Sequence, residues 1–130
     1  MKCLFDNNLS PKLARTLKFL EGDDGIPVVH LKEKFLSDTP DIEWIKKLNQ
    51  EGGWFIITKD THIRKRPHER KVWQESNIPI VFLSGAWTKI DFWSIAWRLI
   101  KYWPNLKENI KRCRKNESLD LTINGKIKKN

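Results

Sequence analysis

The chain is short of the features that would settle its class at once. It has two cysteines in 130 residues, Cys3 and Cys113, too few for a disulfide framework. One falls in a predicted strand and the other in a basic helix, so both are expected as free thiols. No run of eighteen apolar residues occurs, which excludes a membrane-spanning helix. The opening MKCLFDNN lacks the apolar core and small-residue cleavage site of a secretory signal, so a cytoplasmic location is expected. Neither GxxxxGK[ST] nor GxGxxG is present, which argues against nucleotide-driven and dinucleotide chemistry. Ser84-Gly85 has no nucleophile-elbow context. His62 and His68 are spaced unlike a zinc pair, and no CxxC accompanies them.

Acidic residues are also in the minority. Sixteen Asp and Glu face twenty-five Lys and Arg, for a net charge of +9. Such an excess points to a polyanionic partner, most often nucleic acid. The acids are not spread evenly. Eight of them lie within residues 21–51, whereas residues 101–130 hold nine Lys or Arg against three acids. Acids near predicted strand ends, beside basic flanks, suit a metal-dependent nuclease. Seven Trp are available to fill core, and an exposed one could stack on a base.

The buried-strand pattern recurs along the chain. Trp54–Thr58 is a continuous apolar and β-branched run closed by Lys59-Asp60. Lys2–Phe5, closed by Asp6, has the same form. Pro27–Leu31 and Ile78–Leu83 read as further strands, with Pro79 placing the last towards a sheet edge. His30, inside the second, reads as a packed histidine rather than a ligand. Between the strands, helical spacing predicts helices from Ser10-Pro11, from Asp38-Thr39-Pro40-Asp41, from Pro67 to about Gln74, and from Lys89 to about Tyr102. The first two are capped by Ser10 and by Asp38 or Thr39. The last is capped by Thr88, is apolar around much of its circumference, and should be largely buried. Pro104 breaks it or starts a continuation to Arg114. Leu119, Leu121 and Ile123 alternate with polar residues before Asn124-Gly125, which predicts a terminal hairpin over 117–130. The order predicts one α/β domain over residues 1–130: a three-layer α/β/α sandwich with a mainly parallel central sheet, plus the hairpin.

In such a sheet the loops after parallel strands gather at one edge. Asp6, Asp41 and Asp60 would meet there, with Asp38 nearby. Clustered carboxylates need a cation or a proton among them, and Mg²⁺ or Mn²⁺ suits their hard oxygens. Asn7 or Asn8 could add a carbonyl ligand. Arg64, Lys65 and Arg66 are the candidate phosphate contacts. Each acid has a plainer reading as a turn former or a helix cap, and the basic triplet has one as a solvated loop. A phospho-receiver arrangement fails, because Asp23-Asp24 precedes strand two instead of following strand one.

The segments LFDNNLSPKLARTL, VVHL, DTPDIEWIKKL, FIITKD with His62-Ile63, PHERKVWQ and IPIVFL together resemble the PIN-like domain family, over roughly residues 2–103. Within it the chain is similar to the short toxins of VapC-type toxin–antitoxin pairs. The resemblance implies Mg²⁺- or Mn²⁺-dependent endoribonuclease activity, with Asp6, Asp41 and Asp60 at the family's acidic positions. It implies RNA as substrate, a cognate antitoxin as partner, and a second copy as a further partner. Two departures stand out. Many relatives have Asp-Glu-Asn where this chain has Asp6-Asn7-Asn8, and the usual fourth acid has only Glu69 and Asp91 as candidates. A weak enzyme, or a catalytically inactive module that binds RNA or a protein, is therefore the alternative.

Overall fold

A computed structural model of the chain describes residues 1–60, 67–83, 85–114 and 117–130, with the side chains of His68 and Glu69 outside that description. The elements run β1 (Lys2–Phe5), α1 (Pro11–Glu21), β2 (Val28–His30), a short α2 (Leu31–Lys34), α3 (Asp41–Glu51), β3 (Trp54–Thr58), α4 (Pro67–Glu75), β4 (Ile80–Phe82), a 3₁₀ turn (Gly85–Lys89), α5 (Phe92–Lys111), β5 (Ser118–Leu121) and β6 (Ile127–Lys129). The strands form one sheet in the order β2-β1-β3-β4-β5-β6. All neighbours are parallel except β5 and β6.

Successive strand residues face opposite layers, so each strand serves two cores. Cys3, Phe5, Phe55, Ile57 and Val81 pack under α1 and α5. Leu4, Trp54, Ile56, Ile80 and Phe82 pack under α2, α3 and α4. Every residue of β3 is buried, which explains its lack of polar alternation. The α/β/α sandwich expected from the sequence is present.

Several local expectations are corrected. β4 is interior, because β5 pairs with it on the far side. Pro79 stands just ahead of the strand, where its missing N–H costs no ladder bond, and its carbonyl accepts from Ile56 N at 3.0 Å. The hairpin thus extends the main sheet. Pro40 occupies the N-cap of α3 without a side-chain hydrogen bond, so neither Asp38 nor Thr39 caps it. Asp91, not Thr88, caps α5 through Ser94 N at 2.8 Å. The helix then runs unbroken through Pro104 to Lys111. It is also less buried than its composition implies. Ile95, Leu99, Trp103, Leu106 and Ile110 are inside, while Trp93 and Trp97 are exposed. Both cysteines are free.

The connections have an uneven hand. β3 to β4 and β4 to β5 step the same way across the sheet. Yet α4 packs on one face and α5 on the other. Two such crossovers must have opposite hands. The crossovers through α1, α3 and α4 agree with one another, so α5 is the exception to a rule that parallel crossovers nearly always obey. Its placement puts it in the same core layer as Phe55, Ile57, Val81 and Leu119 and sets α5 beside α1.

Candidate active site

The parallel register brings the ends of β1 and β3 side by side. Phe5 is level with Ile57, and Asp6 N donates to Ile57 O at 3.0 Å. Asp6 therefore emerges next to Thr58, the last and fully buried residue of β3. The Thr58 hydroxyl donates to Asp6 Oδ2 at 2.8 Å. Its oxygen accepts from Asp60 N at 2.9 Å and from Asn8 Nδ2 at 3.0 Å. Asn8 Oδ1 accepts in turn from Lys59 N at 2.9 Å. Asn7 N donates to Asp6 Oδ1 at 2.7 Å. One hydroxyl and one amide thus stitch the two strand-end loops together. Asn8 is spent on this clamp, which leaves it a supporting group rather than a free carbonyl ligand.

Asp41 arrives from the other side, as the first residue of α3. Its carboxylate accepts from the Trp44 indole N–H at 3.0 Å. Trp44 in turn meets Trp73 of α4 edge-on, with ring centroids 5.9 Å apart. Asp6, Asp41 and Asp60 line one cavity of about 220 Å³ with Asn7, Asn8, Trp44, Ile45 and Trp73. Burial, the largest influence, pushes the Asp6 carboxyl up. Hydrogen bonds from Thr58 and Asn7 pull it down, and the Asp41 and Asp60 charges push it up again. The net shift is upward, so the site holds negative charge at a cost.

The remaining predicted residues are placed differently. Asp38 lies in the turn before α3 and does not line the cavity. Asp91 is engaged as the α5 cap, which lowers its pKa through the Ser94 hydrogen bonds. Glu69 is within α4, but its side chain is outside the described residues, as are Arg64, Lys65 and Arg66. His30 is buried, with Nε2 2.7 Å from Leu9 O and Nδ1 accepting from Lys32 N at 3.1 Å, so it fastens the β1–α1 loop to α2. Sequence reasoning passed over Thr58 and Trp44. The only hint of Thr58 was a hydroxyl closing an otherwise apolar strand. Trp44 sits three residues after Asp41, one helical turn on, where an indole N–H can reach back.

The donor set can be judged on its own chemistry. Among the described residues, no group of three or more His, Cys, Asp or Glu is placed to hold a metal ion by itself. Mg²⁺, however, keeps several waters and takes only one or two carboxylates directly. The hard carboxylate oxygens of Asp6, Asp41 and Asp60, around one cavity, would suit an ion held that way.

A protein-family model described as a PIN like domain matches residues 1–85. No curated protein and no solved structure matches the chain. The matched segment carries Asp6, Asp41, Thr58 and Asp60, and it covers well over half of the 130 residues. The chain belongs to the PIN like domain family.

Proposed function

We propose that the chain acts as one unit over residues 1–130 and is a metal-dependent endoribonuclease, the toxin of a type II toxin–antitoxin pair. The observation that carries the nuclease reading is the convergence of Asp6, Asp41 and Asp60 on one cavity, with the Asp6 carboxyl raised first by burial and then by the other two charges. PIN domains are generally nucleases. Asp6, Asp60 and Asp41 would hold Mg²⁺ or Mn²⁺. When bound, such an ion polarises a phosphodiester and lowers the pKa of attacking water.

The chain's own groups supply the rest. Thr58 fixes Asp6 and the backbone of Asp60 in one frame, so neither carboxylate has to be ordered when substrate arrives. Trp44 holds Asp41 towards the cavity. Asn7 lines the cavity and is exposed, so its side-chain amide could donate to a phosphate oxygen. Arg64, Lys65 and Arg66 follow Asp60 closely in sequence and would attract the RNA backbone. The toxin reading rests on the sequence resemblance, and it names an antitoxin and a second copy as partners. It also assumes a cytoplasmic setting.

The test has two parts. Purified protein should cut labelled RNA in Mn²⁺ and stop in chelator, and Mn²⁺ should raise its melting temperature. Expression alone should slow bacterial growth, and Asp6→Asn should relieve that. Cleavage without growth inhibition would keep the nuclease and discard the toxin. Mn²⁺-independent RNA binding with no cleavage would favour the inactive binding module.

A further inference from the structure

The face opposite Asp41 and the Trp44–Trp73 pair carries a second feature that the nuclease reading does not use. α1 and α5 lie side by side over the sheet, and a groove of about 250 Å³ runs between them. Leu20 and Ile100 line it from either side, with Pro104 and Trp103. Along α5, Trp93, Trp97, Ile100 and Pro104 follow one another at helical spacing and continue this lining as a stripe. These side chains are strongly exposed: Trp93 by 77%, Leu20 by 57%, Trp97 by 49% and Ile100 by 37%. A contiguous apolar stripe of this kind marks an interaction surface, whereas isolated exposed residues do not.

The charges around the stripe select its occupant. Lys101 follows Trp97 by one helical turn on α5, Lys12 is exposed on α1, the other helix of the groove, and neither forms an ion pair with an acid among the described residues. The Arg98 guanidinium lies over the Trp97 ring, 4.2 Å from its centroid. The one acid of the groove, Glu21, is already committed. It accepts from the Trp103 indole at 2.7 Å and pairs with Lys107 at 2.6 Å. A second copy would set these cations against their own equivalents, which disfavours self-pairing. Single-stranded RNA would use the Trp faces and the lysines, but it gains little from Leu20, Ile100 and Pro104. Acidic flanks around bulky apolar side chains match both halves of the surface. The stripe from Trp93 to Pro104 spans about 16 Å, roughly three helical turns. That suits an amphipathic helix laid along the groove.

We propose that the α1–α5 groove is a docking site for an acidic amphipathic helix of a partner protein, with its leucine-like residues against Leu20, Trp97 and Ile100. The proposal does not depend on the nuclease reading, and such a helix leaves the acidic cavity open. The probe is a fluorescein-labelled helical peptide with leucines at i, i+4 and i+7 and glutamates elsewhere, beside a counterpart carrying lysines in place of the glutamates. Anisotropy with the full chain should show the glutamate peptide binding at least tenfold more tightly. Trp97→Ala with Ile100→Ser, and separately Lys12→Glu with Lys101→Glu, should each weaken it at least tenfold at an unchanged melting temperature. The charge-reversed pair alters solvent-facing residues only, so it stays informative if the first variant fails to fold. Equal affinity for the two peptides, or no binding of the glutamate peptide at millimolar concentration, would overturn the proposal. So would concentration-dependent dimerisation, or oligouridine binding, that Lys12→Glu with Lys101→Glu abolishes while leaving peptide binding intact.

Discussion

Thr58 is the residue on which the acidic site turns. Its hydroxyl donates once and accepts twice, which exhausts its capacity. Thr58→Val keeps the shape and removes the oxygen. The Asp60 N–H then loses the Thr58 oxygen, the Asn8 amide keeps only its longer contact to Asp6 Oδ2 at 3.4 Å, and stability should fall by about 1–3 kcal/mol. Cleavage should fall by about 10–100-fold, the range found when groups supporting metal ligands are removed. Denaturant melts and single-turnover cleavage would check the two effects separately. Asp6 gives a pH test. Its folded-state pKa is raised, so the folded chain binds the Asp6 proton more readily than the unfolded chain does. The ionised form therefore costs stability at neutral pH, and that cost disappears as pH falls below the ordinary carboxylate range. Asp6→Asn should melt slightly higher than wild type at pH 7 without added metal, by no more than about 1 kcal/mol. The gap should close towards pH 3. A variant that is less stable at pH 7 would contradict the assigned charge strain.

Among the elements, the terminal hairpin offers the sharpest local test. Gly125 has φ +86°, a conformation that disfavours any side chain. An added Cβ would also come within 2.6 Å of the Tyr102 ring. That ring cannot swing away freely, since its hydroxyl donates to Ile123 O at 2.8 Å and its edge meets Trp87. Gly125→Ala should therefore cost about 1–3 kcal/mol, read as a lower melting temperature. The hairpin was legible from Asn124-Gly125 and the alternation before it, because turn chemistry is local. The buried strands β1 and β3 were legible for a similar reason: apolar runs stop where Asp6 and Lys59 begin. What was not local was missed. That β4 is interior depends on β5, some forty residues later in the chain. Pro79 alone pointed the wrong way. The apolar residues of α5 gave no sign that Trp93 and Trp97 would stay outside, because helical spacing fixes a stripe without saying how much of it a neighbour covers. The pairing of Asp6 with Asp60 followed from parallel strand order, but the Thr58 bridge needed the register itself.

For the whole molecule, the two proposed sites would divide the excess of positive charge between an RNA and a partner helix. The acidic cavity opens at the strand-end edge, between β1, β3 and α3, and the α1–α5 groove lies across the sheet from Trp44 and Trp73. A net charge of +9 should make RNA affinity fall steeply with salt, because each neutralised phosphate releases condensed counterions. Replacing Arg64, Lys65 and Arg66 together should flatten the plot of log affinity against log salt by about two to three units of slope. An unchanged slope would move the RNA path to the basic residues of 101–130. The family match stops at residue 85, where the 3₁₀ turn that leads to α5 begins. The acidic cavity therefore lies in the shared part of the fold, and the α5 side of the groove in the part beyond it.

The proposed function requires Asp6, Asp41 and Asp60 to form one metal-dependent site for cutting RNA. Single-turnover cleavage of a labelled RNA in Mn²⁺, by wild type and by Asp60→Asn, tests it most directly. Asn keeps the size of Asp60 and its backbone hydrogen bond to Thr58, so the melting temperature should hold within a few degrees. Cleavage should fall by at least about a hundredfold, and wild type should lose it in chelator. Asp60→Asn cutting RNA at the wild-type rate, in metal or without it, would contradict the claim.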